Sequence, residues 1–99
     1  MFAESGVLLS RVTDQLSCEL NGEIAILNLK SKLYFGLTDV GAFIWTLLEA
    51  PTDKAALRQA VAEEFDVDAV QCAADVESFL QDLDKAGLLQ IERQAGSAG

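Results

Sequence analysis

An α+β fold of winged-helix-like type, a three-stranded antiparallel sheet followed by three helices, is predicted by three features of this 99-residue chain. Apolar residues alternate between Gln15 and Leu37, an Asn21-Gly22 pair interrupts them, and from Thr38 the apolar spacing changes to three and four. Alternation places successive side chains on opposite faces of a strand, whereas spacing of three and four gathers them on one face of a helix. The length permits one domain, and with 51% hydrophobic residues and one proline the chain is too apolar to remain disordered.

The first predicted strand carries Leu16, Cys18 and Leu20 alternating with Ser17 and Glu19. Asn21-Gly22 adopts positive φ at little cost and marks a hairpin. The second strand follows in the aliphatic run from Glu23 to Lys30, Ser31-Lys32 makes another tight turn, and Leu33 to Leu37 form a short third strand. Thr38 or Asp39 then caps a helix with Val40, Phe43, Ile44, Leu47 and Leu48 on one stripe, and Pro51 stops it. Thr52 or Asp53 caps a second helix bearing Ala56, Leu57, Ala60, Val61 and Phe65. A third begins after Asp68, runs Ala69, Cys72, Ala73, Val76, Phe79, Leu80 and Leu83 along one stripe, and ends at Gly87. Leu88 to Ile91 can add a short terminal strand. The expected domain spans 7–92, with 1–6 and 93–99 as flexible ends rich in Gly, Ala and Ser.

Seven basic against sixteen acidic residues give a net charge of -9. Nucleic-acid affinity rests on cationic side chains that displace counterions, so nucleic acid is excluded as a partner and a basic peptide is favoured. The third helix has Lys85 as its single basic residue against Asp75, Glu77, Asp82 and Asp84, which argues against a DNA-reading helix. No apolar run approaches 20 residues and no export signal opens the chain, so no membrane is expected and the location is read as cytoplasmic.

Catalytic patterns are sparse. The chain contains no histidine and therefore no Ser-His or Cys-His pairing. Cys18 and Cys72 alone make neither a disulfide scaffold nor a zinc site, and Gly36 and Gly41 lack the lysine and hydroxyl of a phosphate loop. Neither catalysis nor a metal or other cofactor is expected. What remains is the third strand: one side pairs with the second strand, and the other is either an open template for an added peptide strand or is covered by the N-terminal segment or by Leu88 to Ile91.

The run Leu33-Tyr34-Phe35-Gly36-Leu37-Thr38-Asp39-Val40-Gly41-Ala42-Phe43-Ile44-Trp45 resembles the signature of the PqqD-like family, an aromatic-containing strand that leads into a helix bearing Gly and then Ile-Trp. Phe65-Asp66-Val67-Asp68, Asp75-Val76, Phe79-Leu80 and Leu83 before Gly87-Leu88-Leu89 follow in the family's order, so the resemblance covers roughly residues 9–91. It implies a recognition element for ribosomally synthesised, post-translationally modified peptides, with no enzyme activity of its own. Such an element grips a precursor's leader segment and presents the core segment to modifying enzymes. The implied walls of the leader groove are Lys32, Leu33, Tyr34, Phe35, Gly36 and Leu37, with Cys72, Asp75, Val76, Phe79 and Asp82 from the third helix. The backbone groups expected to pair with the leader are those of Leu33, Tyr34 and Phe35.

Two shoulders of that helix compete to face the groove, one with Asp75, Asp82 and Ala86 beside Phe79, the other with Ala73, Glu77 and Asp84. Either offers carboxylates to a leader lysine or arginine. Within the family, the short single-domain chain points to a stand-alone adaptor, a format that also serves cofactor and radical-enzyme pathways; the Tyr-containing strand and the Gly-to-Trp helix start favour the B1 type typical of lasso-peptide pathways, whose partners are a leader peptidase and a cyclase. The alternative is a winged-helix interaction or dimerisation domain with no peptide-delivery role.

Overall fold

The computed structural model describes residues 7–93. In chain order it contains β1 (Val7–Arg11), β2 (Gln15–Leu20), β3 (Glu23–Asn28), β4 (Tyr34–Leu37), α1 (Asp39–Leu47), α2 (Lys54–Phe65), α3 (Ala69–Lys85) and β5 (Leu89–Arg93). The predicted three-stranded meander and three helices are all present, with β2-β3-β4 as the sheet order. β5 extends one residue beyond the expected boundary at 92; the remaining residues of both expected loose ends lie outside the described residues.

The turns follow from local chemistry. Asn21 and Gly22 have φ of 56° and 81°, the two positive values that a two-residue hairpin with native twist requires. Asp53 and Asp68 are the side-chain caps of α2 and α3, accepting from the amides of Ala56 and Gln71 at 2.8 and 2.9 Å. At the end of α3, the Leu88 amide donates to the Leu83 carbonyl and the Gly87 amide to that of Asp84. This pairing closes the helix around Gly87 at φ 72° and turns the chain straight into β5. Thr38 starts α1 from an extended backbone, without a side-chain cap.

The additional strand, β1, pairs antiparallel with β5 from Val7↔Arg93 to Arg11↔Leu89. This ribbon is separate from the meander. Its amides also reach the loops after α1: Arg11 donates to Leu48 O, and Leu9 and Thr52 exchange hydrogen bonds. Within the described residues, the two segments that were candidates for covering the β4 edge, Val7–Arg11 of the N-terminal segment and Leu89–Arg93, pair with each other.

The core joins both sheets to the helices. Ile24 and Ile26 of β3 join Ile44 and Trp45 of α1 and its C-cap Leu48, Leu57 and Val61 of α2, and Cys72, Val76, Leu80 and Leu83 of α3, with Leu9 and Leu88 from the ribbon side. Trp45 is fully buried, yet its indole N–H donates to Ser17 Oγ at 3.1 Å. The Arg11 guanidinium lies 4.8 Å from the indole centroid and donates to Trp45 O at 2.9 Å. Burial holds the Arg11 pKa below its ordinary value, with Glu49 acting in the opposite direction.

Candidate functional site: the β4 edge and the cleft beside α3

The register of the meander determines which atoms face outward. Ile24, Ile26 and Asn28 of β3 point toward the helices, and their partners Leu37 and Phe35 on β4 share that face. Tyr34 and Gly36 fall on the opposite face, and Tyr34 is 74% exposed. Among the described residues no strand pairs with the far side of β4.

Hydrogen-bond phase decides what that free side offers. The Asn28 amide donates to the Leu33 carbonyl at 2.9 Å. Paired residues in an antiparallel ladder alternate between bonded and non-bonded, so Ile26/Phe35 and Ile24/Leu37 are bonded pairs, whereas Leu27/Tyr34 and Ala25/Gly36 are not. The N–H and C=O groups of Tyr34 and Gly36 consequently project toward the open edge. Of the three residues expected to offer backbone groups, only Tyr34 does so; the Phe35 groups and the Leu33 carbonyl serve the β3 ladder, and Gly36 supplies the second outward pair. A Cβ at Gly36 would meet nothing within 4 Å, so a neighbouring backbone has room to approach.

Beside this edge lies a cleft of about 320 Å³ lined by Phe35, Gly36, Leu37, Phe79, Asp82, Leu83, Ala86 and Leu88. The lining decides between the two shoulders of α3: the one with Phe79, Asp82 and Ala86 faces β4. Glu77, on the other shoulder, instead forms a salt bridge with the buried Lys54 of α2, and this hydrogen bond holds the Glu77 carboxyl below its usual range. Phe79 is held from behind by α1, where a Cβ at Gly41 would sit 3.0 Å from its ring. Gly41 therefore allows α1 and α3 close enough to aim the phenyl group at the cleft.

The sequence-predicted residues divide accordingly. Phe35, Gly36, Leu37, Phe79 and Asp82 line the cleft, and Tyr34 borders the edge on the outer face. Leu33 is an exposed apolar side chain just before β4, and Lys32 occupies the turn with φ 65°. Asp75 is exposed on the cleft-side shoulder, where it accepts from Gln71 Nε2 at 2.8 Å. Cys72 and Val76 are only 2% and 1% exposed; they belong to the core stripe, and the Cys72 thiol donates to Arg58 O.

Ala86, named with Asp75 and Asp82 on one candidate shoulder, lines the cleft, and Leu83 and Leu88 are cleft residues that the sequence did not assign to the groove. Leu83 and Ala86 follow Phe79 at spacings of four and seven, which was their signal, whereas Leu88 arrives through the turn at Gly87. Asn28 is a further omission. Its side-chain amide donates to Ala86 O at 2.8 Å, and its Oδ1 accepts from the amides of Lys30 and Ser31. One buried polar side chain thus ties the turn preceding β4 to the end of α3, the two walls of the cleft. The signal was a polar residue on the inward phase of an otherwise aliphatic strand.

Among the described residues no three His, Cys, Asp or Glu side chains converge as a metal site, and no helix is long and apolar enough to cross a membrane.

The family model for coenzyme PQQ synthesis protein D (PqqD) matches residues 23–89, well over half the chain. The chain belongs to the PqqD family. Among solved structures it is similar to TbiB1 in complex with the TbiA(beta) leader peptide, at 31% identity and a TM-score of 0.77, over 82% of this chain and 94% of that one. It is also similar to a lasso peptide synthetase B1 complexed with the leader peptide, at 19% identity and a TM-score of 0.73, over 89% and 99% of the two chains. At that identity the second likeness concerns the fold. No curated protein matches the sequence. The matched span of the family model begins at β3 and ends at the start of β5, so it contains both walls of the cleft.

Proposed function

We propose that this chain binds the leader segment of a ribosomally synthesised precursor peptide as a strand added to β4, and delivers it to modifying enzymes. The pathway is of the lasso-peptide kind, and the enzymes are a leader peptidase and a cyclase. The observation that carries the reading is the juxtaposition of the outward backbone groups of Tyr34 and Gly36 with an apolar cleft of about 320 Å³. An added strand gains affinity from backbone hydrogen bonds, while alternate side chains entering a pocket provide register and selectivity. Support also comes from the likeness to TbiB1, whose structure contains a leader peptide and whose identity to this chain is 31%.

In this reading residues 7–92 form the recognition domain and the chain acts by binding rather than catalysis. It works in the cytoplasm, where ribosomally made precursors first appear. The test is fluorescence anisotropy with two labelled peptides, the leader and core segments of the precursor encoded beside this chain. Saturable binding of the leader alone is expected; equal affinity for both segments, or none for either, contradicts the proposal.

A further inference from the structure

We infer that Asp82 makes the groove selective for guests that carry a lysine or arginine two residues from the apolar side chain seated in the cleft. This rests on the strand-addition reading and specifies its substrate. A strand laid along β4 sends every second side chain toward α3, and residues two apart on one face are about 6.6 to 6.8 Å apart. When one such side chain fills the space between Phe35, Leu37, Phe79, Leu83 and Leu88, its neighbour on the same face meets the rim of the cleft. Asp82 is the charged residue at that rim among the described residues.

Among the described residues no basic side chain, including Lys85 one turn along the helix, forms an ion pair with it. The ion pairs among the described residues join Lys30 to Asp14 and Lys54 to Glu77, leaving Asp82 without one. Asp75, two turns earlier on the same shoulder, accepts from the neutral Gln71 amide and adds a second carboxylate to that side of α3. The opposite shoulder is organised differently, because Glu77 there is matched by Lys54. An ammonium or guanidinium at the groove would find a carboxylate able to accept a charge-assisted hydrogen bond, and an apolar anchor beside it excludes part of the screening water. The whole-chain charge of -9 steers the same class of peptide.

The Asp82 side chain is exposed, and its carbonyl rather than its carboxylate receives the Ala86 amide, so substitution there leaves the helix intact. The experiment is selection from a displayed library of random 20-residue peptides against the wild-type chain, Asp82→Asn and Asp82→Lys, each verified as folded by circular dichroism. The wild type is expected to enrich peptides with a Leu, Ile or Phe anchor and Lys or Arg two positions away. That basic preference disappears with Asp82→Asn and changes to Asp or Glu with Asp82→Lys. Replacing the basic residue of a selected peptide by Gln weakens wild-type binding about three- to tenfold, with a smaller loss at high salt. Anchored binders with no basic preference, or with a preference that survives Asp82→Asn, overturn the inference and leave the groove reading intact. A library that yields no anchored binder overturns both.

Discussion

The meander has two outer strands, and they differ in what stands beside them. β2 has six residues, and its side toward the helices carries Gln15, Ser17 and Glu19, while its apolar Leu16, Cys18 and Leu20 lie on the outer face with Ala25, Leu27 and Tyr34. β4 has four residues, and its inner side carries Phe35 and Leu37 at the mouth of a cleft completed by α3. An outer strand alone offers any extended chain the same backbone groups; only a strand beside a shaped cavity can also read side chains. The shorter strand, beside the larger cleft of about 320 Å³ against about 140 Å³ on the outer face of β2, is the edge proposed to receive the leader.

Substitutions can separate the edge from the scaffold. The largest expected effect is Phe35→Pro, which removes a β3 ladder donor and a half-buried aromatic ring. A loss of about 3 kcal/mol or more is expected, read as collapse of the urea midpoint. Tyr34→Pro is the contrasting change. It removes an outward donor and an exposed side chain, so stability should stay within about 1 kcal/mol while leader affinity falls about tenfold or more. Equal destabilisation by both prolines contradicts the hydrogen-bond phase assigned to β4.

Phe79→Ala should weaken leader binding by about tenfold, with about 1–2 kcal/mol lost from stability because the ring is only half-buried. Isothermal titration together with urea unfolding separates the two effects. Across the helix, Glu77→Gln should leave leader affinity unchanged and cost about 1 kcal/mol, discounted for the partial exposure of the carboxylate. Since Lys54 lowers the folded-state pKa of Glu77, this contribution is present above the unfolded glutamate range and is lost as pH falls through the folded value. Unfolding midpoints measured from neutral to acidic pH should therefore decline less steeply in Glu77→Gln than in the wild type. The smallest effect is reserved for the other outer strand: Leu20→Ser, at a 70% exposed position, should change neither stability by more than about 0.5 kcal/mol nor leader affinity by more than about twofold.

The elements were legible where their causes are local. Asn21-Gly22, the capping Asp53 and Asp68, and Gly87 each act within a few residues of themselves, and the structure uses all of them as read. β1 was not legible, because Val7 to Arg11 becomes a strand by pairing with residues more than 70 positions away. Periodicity showed that Leu16, Cys18 and Leu20 share one face but not which face; with Ile24 and Ile26 placed against Trp45 and α3, their partners Glu19 and Ser17 face inward and Leu16, Cys18 and Leu20 face outward. Phe35, Leu37, Phe79 and Asp82, expected as groove walls, do line one cleft. Cys72 and Val76 lie on the same helix, but one stripe further into the core. The outward backbone groups required the pairing phase with β3, which depends on Asn28 and the turn it holds.

If β4 receives the leader through Tyr34 and Gly36, backbone amide spectra recorded during titration with the leader segment will register it at those two residues. The Tyr34 and Gly36 amides should shift with saturation and become protected from hydrogen exchange. Residues around Phe79 to Ala86 should shift in parallel, and the β2 amides should stay in place. Saturable binding with the Tyr34 and Gly36 amides unshifted and unprotected would contradict it.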